Sequence, residues 1–177
     1  IIRGVTLING NGAPPIGPVD VVVKQNVITQ VRVVGYPGVE INENRRPKLD
    51  EGGKEIDAHG MYLLPGFIDM HGHIGGTSQG ADWDYVFKLW LAHGVTTVRE
   101  PSGRSRDWTL DLKRKSAKNE IIAPRIVQYT GFGSGSKTPI VTQDQAREWV
   151  RQNAKAGSDG IKFFGAAPEI MEAALDE

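Results

Sequence analysis

The chain has 177 residues, 39% hydrophobic and 24% charged, which provides apolar material for one domain of ordinary size or one domain plus a small appendage. Its 21 Lys and Arg balance 21 Asp and Glu, so charge makes no case for nucleic acid or an anionic membrane as partner, and no apolar run approaches the ~20 residues of a membrane span. Cysteine is absent, which removes disulfides and thiolate metal sites.

Residues 1–64 read as a small all-β domain. Ile2 to Ile8 predicts a strand, followed by the dense turn signal Asn9-Gly10-Asn11-Gly12 and a proline-rich connection from Ala13 to Pro18. Val19 to Lys24 and Val27 to Val34 predict a hairpin around Gln25-Asn26. Tyr36 to Gly53, rich in Pro, Gly, Asn and charge, predicts a long surface loop; Glu55 to Ala58 and Met61 to Leu64 predict short strands. No chemistry is visible in this part, and His59 reads as a surface residue in a Gly-flanked turn. The first residue is Ile, so a native start and a signal peptide can lie upstream.

From residue 65 the rhythm changes to strand, loop and helix, repeated. Leu64 to His71 predicts a buried strand that closes on His71-Gly72-His73. Strand side chains alternate with a period of two, so the two imidazoles project to one side, a good beginning for a divalent metal site. Gly72 is expected to leave room beside them for a ligand or a second metal. On spacing alone, strand-end histidines bonded to backbone or water explain the pair equally well.

Asp82 to His93 predicts a helix with an apolar stripe of Trp83, Val86, Phe87, Trp90 and Leu91, stopped by Gly94, with His93 a helix-terminal residue favoured by the dipole. Val95 to Arg99 is a second strand. Asp107 is expected to cap a helix running to about Asn119, whose Lys113-Arg114-Lys115 and Lys118 form a solvated face. Arg125 to Thr130 is a third strand; Thr142 opens a capping box with Gln145 and a helix to about Ala156, stopped by Gly157. Gly160 to Phe164 is a fourth strand and Pro168 to Leu175 a fourth helix. Four β/α units make half of an eightfold barrel, and a closed barrel needs about 200 residues or more. The expectation is therefore a small domain, residues 1–64, preceding the first half of a (β/α)8 barrel, residues 65–177, in the N-terminal part of a longer enzyme. An open four-unit sheet is the alternative, with an uncovered edge and apolar face.

The stretch Pro65-Gly66-Phe67-Ile68-Asp69-Met70-His71-Gly72-His73 resembles the first barrel strand of the amidohydrolase superfamily. It matches the signature Pro-Gly-hydrophobic-hydrophobic-Asp-x-His-x-His at every fixed position, and residues 1–64 resemble the small β-sandwich that these enzymes place beside their barrel. The branch most resembled contains imidazolonepropionase-like proteins and dipeptidases acting before proline. The resemblance implies metal-dependent hydrolysis of an amide, peptide or cyclic amide bond, with His71 and His73 as ligands. Lys162, in Gly160-Ile161-Lys162, stands in the matching fourth strand, where many members carry a lysine carboxylated to a carbamate that bridges two metals. The metals would share a hydroxide made available near neutral pH. Zinc suits an imidazole and carboxylate-like donor set, with manganese and iron as alternatives. The family's two further histidines and its aspartate base would lie beyond Glu177, so the catalytic base is unknown here, and the isolated chain is expected to bind metal weakly and turn over negligibly.

On the residues alone, the plainer reading of Lys162 in an apolar strand is a partner of a carboxylate on a neighbouring strand. Arg99, Glu100 and Tyr129, at strand ends, are candidates for contacts to a small-molecule or dipeptide substrate, with a rim salt bridge and packing as the plainer reading. Asp69 is read as supporting the site, not as a ligand. Three rivals stand beside the hydrolase. Gly131 to Thr138 nearly spells a phosphate-binding loop, but Ser136 stands where the motif needs Gly and Pro139 follows where a helix should start. Lys162 as a free amine forming a Schiff base leaves the His pair unexplained. A non-catalytic barrel scaffold with a relic metal site is the third.

Overall fold

A computed structural model describes residues 1–75, 80–102 and 105–177. The chain divides into two compact units, Ile1–Pro65 and Gly66–Glu177. Among the described residues no helix is long and apolar enough to cross a membrane.

The first unit is built on a five-stranded sheet of β1 (Ile2–Leu7), β2 (Ile16–Lys24), β3 (Val27–Val33), β4 (Ile56–Asp57) and β5 (Tyr62–Leu63). The β2–β3 hairpin turns through Gln25 and Asn26, both at positive φ, the twist that a two-residue connection requires. β1 lies antiparallel to β2 and pairs on its other side with β4 and β5, both parallel to it. Val5, Val19, Val21 and Ala58 form the core. The long loop contains one 3₁₀ turn, Glu43–Arg45, and carries Arg46 to the sheet.

Asp20 is fully buried there. It accepts hydrogen bonds from the Arg3 guanidinium at 2.9 Å, from Arg46 Nε at 3.1 Å and from the Gly4 backbone N–H at 2.9 Å. Burial alone would raise its pKa, but the two guanidiniums and the backbone N–H outweigh it and hold the carboxyl below its ordinary value. Arg3 also binds Glu55, and Arg46 reaches the exposed His59 ring, which pairs with Asp57.

The second unit repeats strand and helix: β6 (Phe67–Asp69), α1 (Trp83–Ala92), β7 (Val95–Pro101), α2 (Arg106–Ala117), β8 (Arg125–Gly131), α3 (Gln143–Ala156), β9 (Gly160–Lys162) and α4 (Pro168–Asp176). The strands form a parallel sheet in the order β6-β7-β8-β9, the succession of the first four strands of a (β/α)8 barrel. The Trp83–Phe87–Trp90 stripe of α1 packs in a core with Ile74, Val98, Leu112 and Ile126. Val98 and Ile126 thus turn to the helices, and alternation turns Arg99 and Tyr129 to the opposite face.

Three boundaries differ from expectation. β6 pairs only over Phe67–Asp69, and its register with β7 shifts between Phe67 and Ile68. α2 begins at Arg106 with Ser105 at the cap position, so Asp107 lies inside the first turn; its carboxylate pairs with Arg106 instead of capping. β9 ends at Lys162, where the backbone turns after pairing with Gly131. α3 follows the sequence signal closely: Thr142 and Gln145 complete the reciprocal capping box, and Gly157 ends the helix in the left-handed conformation.

Candidate functional site

In parallel β/α sheets of this kind the chemistry gathers at the C-terminal strand ends. His71 and His73 follow β6 at that end. The regular strand stops at Asp69, yet the Gly72 N–H still donates to the Arg99 carbonyl at 3.1 Å, so the segment keeps its pairing along β7. The two rings meet edge-on, with centroids 5.5 Å apart and planes at 84°.

Gly72 has a different purpose from the one expected. A Cβ there would fall 2.6 Å from Val98 Cγ2 and 2.8 Å from Trp90 Cζ2. The missing side chain lets the backbone press onto the helix-side core; it does not open space for a ligand. Asp69 accepts the His71 backbone N–H at 2.9 Å, closing the turn beneath the pair. Glu100 is not a rim residue. It is 1% exposed, with Oε1 3.1 Å from His73 Nδ1 and Oε2 accepting the Ile74 N–H at 2.7 Å. Glu100 has the parity of the buried Val98, which places it on the helix-facing side of β7.

Arg99, Tyr129 and Lys162 share the face opposite the helices. Gly131 pairs with Lys162 and Tyr129 with Gly160, and parallel partners point the same way. The Arg99 Nε donates to the Met70 carbonyl at 2.6 Å, and its guanidinium lies over the Tyr129 ring, 4.9 Å from the centroid. Gly160 permits this: a Cβ there would meet Tyr129 Cε1 at 2.5 Å. Lys162 Nζ sits 5.6 Å from the Phe164 ring centroid, and among the described residues it has no carboxylate partner, contrary to the plainer reading of that lysine. β6 and β9 are the two edges of the sheet, with β7 and β8 between, so the His pair and Lys162 stand on strands roughly 14 Å apart by normal strand spacing, before any curvature.

The Gly131–Thr138 loop does not lead into a helix. α3 starts at Gln143, and its own capping box occupies its N-terminal amides. Instead the loop folds over α3, with Trp149 Nε1 donating to the Ser134 carbonyl at 3.1 Å beside an open cavity of about 500 Å³.

The donor set suits a divalent ion in part. A metal–nitrogen distance of ~2.1 Å and a tetrahedral angle place two ring centres roughly 5.3 Å apart, close to the observed separation. With Nδ1 of His73 facing Glu100, its Nε2 is left for a ligand bond. Among the described residues, however, no group of three or more His, Cys, Asp or Glu is placed to hold a metal, so His71 and His73 supply part of a coordination sphere.

No family model matches the chain. It is 26% identical to an N-acetylglucosamine-6-phosphate deacetylase from Lysinibacillus sphaericus, over 82% of this chain and 35% of the relative. It is 27% identical to a D-hydantoinase from Geobacillus stearothermophilus, over 71% of this chain and 27% of that protein. A solved prolidase complexed with N-methylphosphonate-L-proline shares the fold, with a TM-score of 0.73 at 16% identity, covering 99% of this chain and 52% of its own. Together the curated likenesses support the amidohydrolase superfamily, and the solved structure shows a shared fold. The chain spans about a third or less of the length of the curated relatives it matches.

Proposed function

We propose that this chain contributes His71 and His73 to the metal centre of a hydrolase acting on an amide, peptide or cyclic amide bond. The observation that carries the proposal is the His pair itself, 5.5 Å apart at the C-terminal end of the first strand of a parallel sheet. The likeness to a deacetylase and a hydantoinase supports the reaction class. A bound divalent ion, zinc being best suited to imidazole donors, supplies Lewis acidity toward a carbonyl and acidifies water.

The chain's own residues define the substrate side. Arg99 is held at Nε and stacked on Tyr129, which keeps its terminal nitrogens in one orientation suited to a carboxylate. The proposed substrates are accordingly small molecules or dipeptides with a free carboxylate near the scissile carbonyl. Lys162, without a carboxylate partner among the described residues, is the proposed site of carboxylation: its neutral amine adds to carbon dioxide and loses a proton, giving an anionic oxygen donor on the same face. The catalytic base is assigned to residues outside this chain, and the 177-residue chain alone is expected to bind metal weakly and turn over negligibly.

The experiment is a hydrolysis screen of the full-length native protein with dipeptides, N-acyl amino acids and cyclic amides, before and after chelation. Zinc-restorable turnover, with KM raised about tenfold or more in Arg99→Ala, fits the loss of a charged contact of ~1.5–3 kcal/mol. Turnover indifferent to chelation would remove the metal from the mechanism. The scaffold reading, which draws on the incomplete donor set among the described residues, predicts no turnover with any of these substrates.

A further inference from the structure

We infer that Glu100 is the positioning residue of the His pair: it fixes the tautomer and direction of the His73 ring and leaves His71 unconstrained. The inference rests on the metal-site reading for its purpose, but its geometry is independent of any metal. Glu100 is 1% exposed, whereas the His73 side chain is 41% exposed, so a buried carboxylate is aimed outward at a half-open imidazole. Its direction is set from inside. Oε2 accepts the N–H of Ile74 at 2.7 Å, and Ile74 is itself packed with Phe87 and Val98 in the unit's core. With that oxygen anchored, Oε1 lies 3.1 Å from His73 Nδ1. A carboxylate only accepts, so the ring nitrogen facing it must donate, and the neutral ring then carries its proton on Nδ1 and its lone pair on Nε2. Among the described residues the His71 ring has no hydrogen-bond partner; that residue is held through its backbone N–H to Asp69.

Only a carboxylate serves both contacts. In Glu100→Gln a single oxygen must choose between the Ile74 N–H and the His73 N–H. The buried backbone donor is the costlier one to leave unpaired. The amide NH2 then turns to His73 Nδ1, which must accept, and the proton moves to Nε2, where it blocks a ligand bond.

The test is ¹⁵N NMR of the full-length, metal-free protein with labelled histidine at alkaline pH, together with zinc titration. The expected result is the Nδ1–H tautomer for His73 in the parent and the Nε2–H tautomer in Glu100→Gln, with the His71 signals unchanged. Zinc affinity falls about 10–100-fold in the variant. A parent protein with His73 already in the Nε2–H form overturns the inference and needs no variant that folds. An unchanged His73 tautomer in Glu100→Gln overturns it as well, as does an equal disturbance of both histidines. Failure of the metal reading looks different: the parent binds no zinc while His73 keeps its proton on Nδ1, which supports the positioning role and removes the purpose assigned to it.

Discussion

Each unit of the chain buries one carboxylate almost completely, Asp20 in the first and Glu100 in the second, and the two are used in opposite ways. Asp20 gathers donors inward: two guanidiniums and a backbone N–H converge on it and tie the long loop to the sheet. Glu100 spends one oxygen on the core and points the other at a half-open histidine. A buried charge whose partners all belong to the surrounding fold is a brace. One that reaches toward a strand-end imidazole sets up a surface group for use.

Removing each carboxylate has a different signature. The largest effect on stability belongs to Asp20→Ala, which removes the buried acceptor on which two guanidiniums and the Gly4 N–H converge and should cost about 3–5 kcal/mol in urea unfolding of the first unit, with zinc binding unaffected. A loss under ~1 kcal/mol would mean that the cluster is solvated and carries no structural role. The same group gives an acid limb. Its folded pKa is depressed, so its contribution is complete above the unfolded carboxyl pKa of ~3.9 and is lost as pH falls through the lower folded value. An Asp20→Asn protein should show a flatter acid limb than the parent.

In the second unit the sharpest lever is Gly72→Ala. The added methyl meets Val98 and Trp90 well inside contact distance, so overpacking of about 1–3 kcal/mol is expected, together with weakened zinc binding as the His pair shifts. Full stability with weakened zinc binding would restore the idea that Gly72 keeps ligand space open. The smallest effect is Thr142→Ala, which removes one half of the α3 capping box and should cost about 1 kcal/mol without changing metal affinity.

The repeated strand–helix order, the apolar stripe of α1 and the α3 caps were legible in the chain because each follows from local periodicity or turn chemistry. The His pair was legible because two ligand-type residues at a spacing of two need no tertiary information. Glu100 was not: next to Arg99 it reads as a rim charge, and only the parity of β7 and the anchoring at Ile74 reveal that it is buried. Gly72 misled for a similar reason, since a sequence cannot say which neighbour fills the space beside a glycine. The cap position of α2 fell to Ser105 instead of Asp107 because two residues of cap type lie close together; Asp107, inside the first turn, pairs with Arg106. The placement of Arg99 over Tyr129, from which the proposed substrate side is read, is long-range, and no spacing encodes it.

The measurement that bears most directly on the central claim is the metal content of the full-length native protein beside a His71→Ala, His73→Ala variant. The account predicts about one or two equivalents of divalent metal per chain in the parent, lost in the variant while its circular dichroism stays that of the parent. Metal retained in full by the double variant, or a complete barrel that binds none, would contradict it.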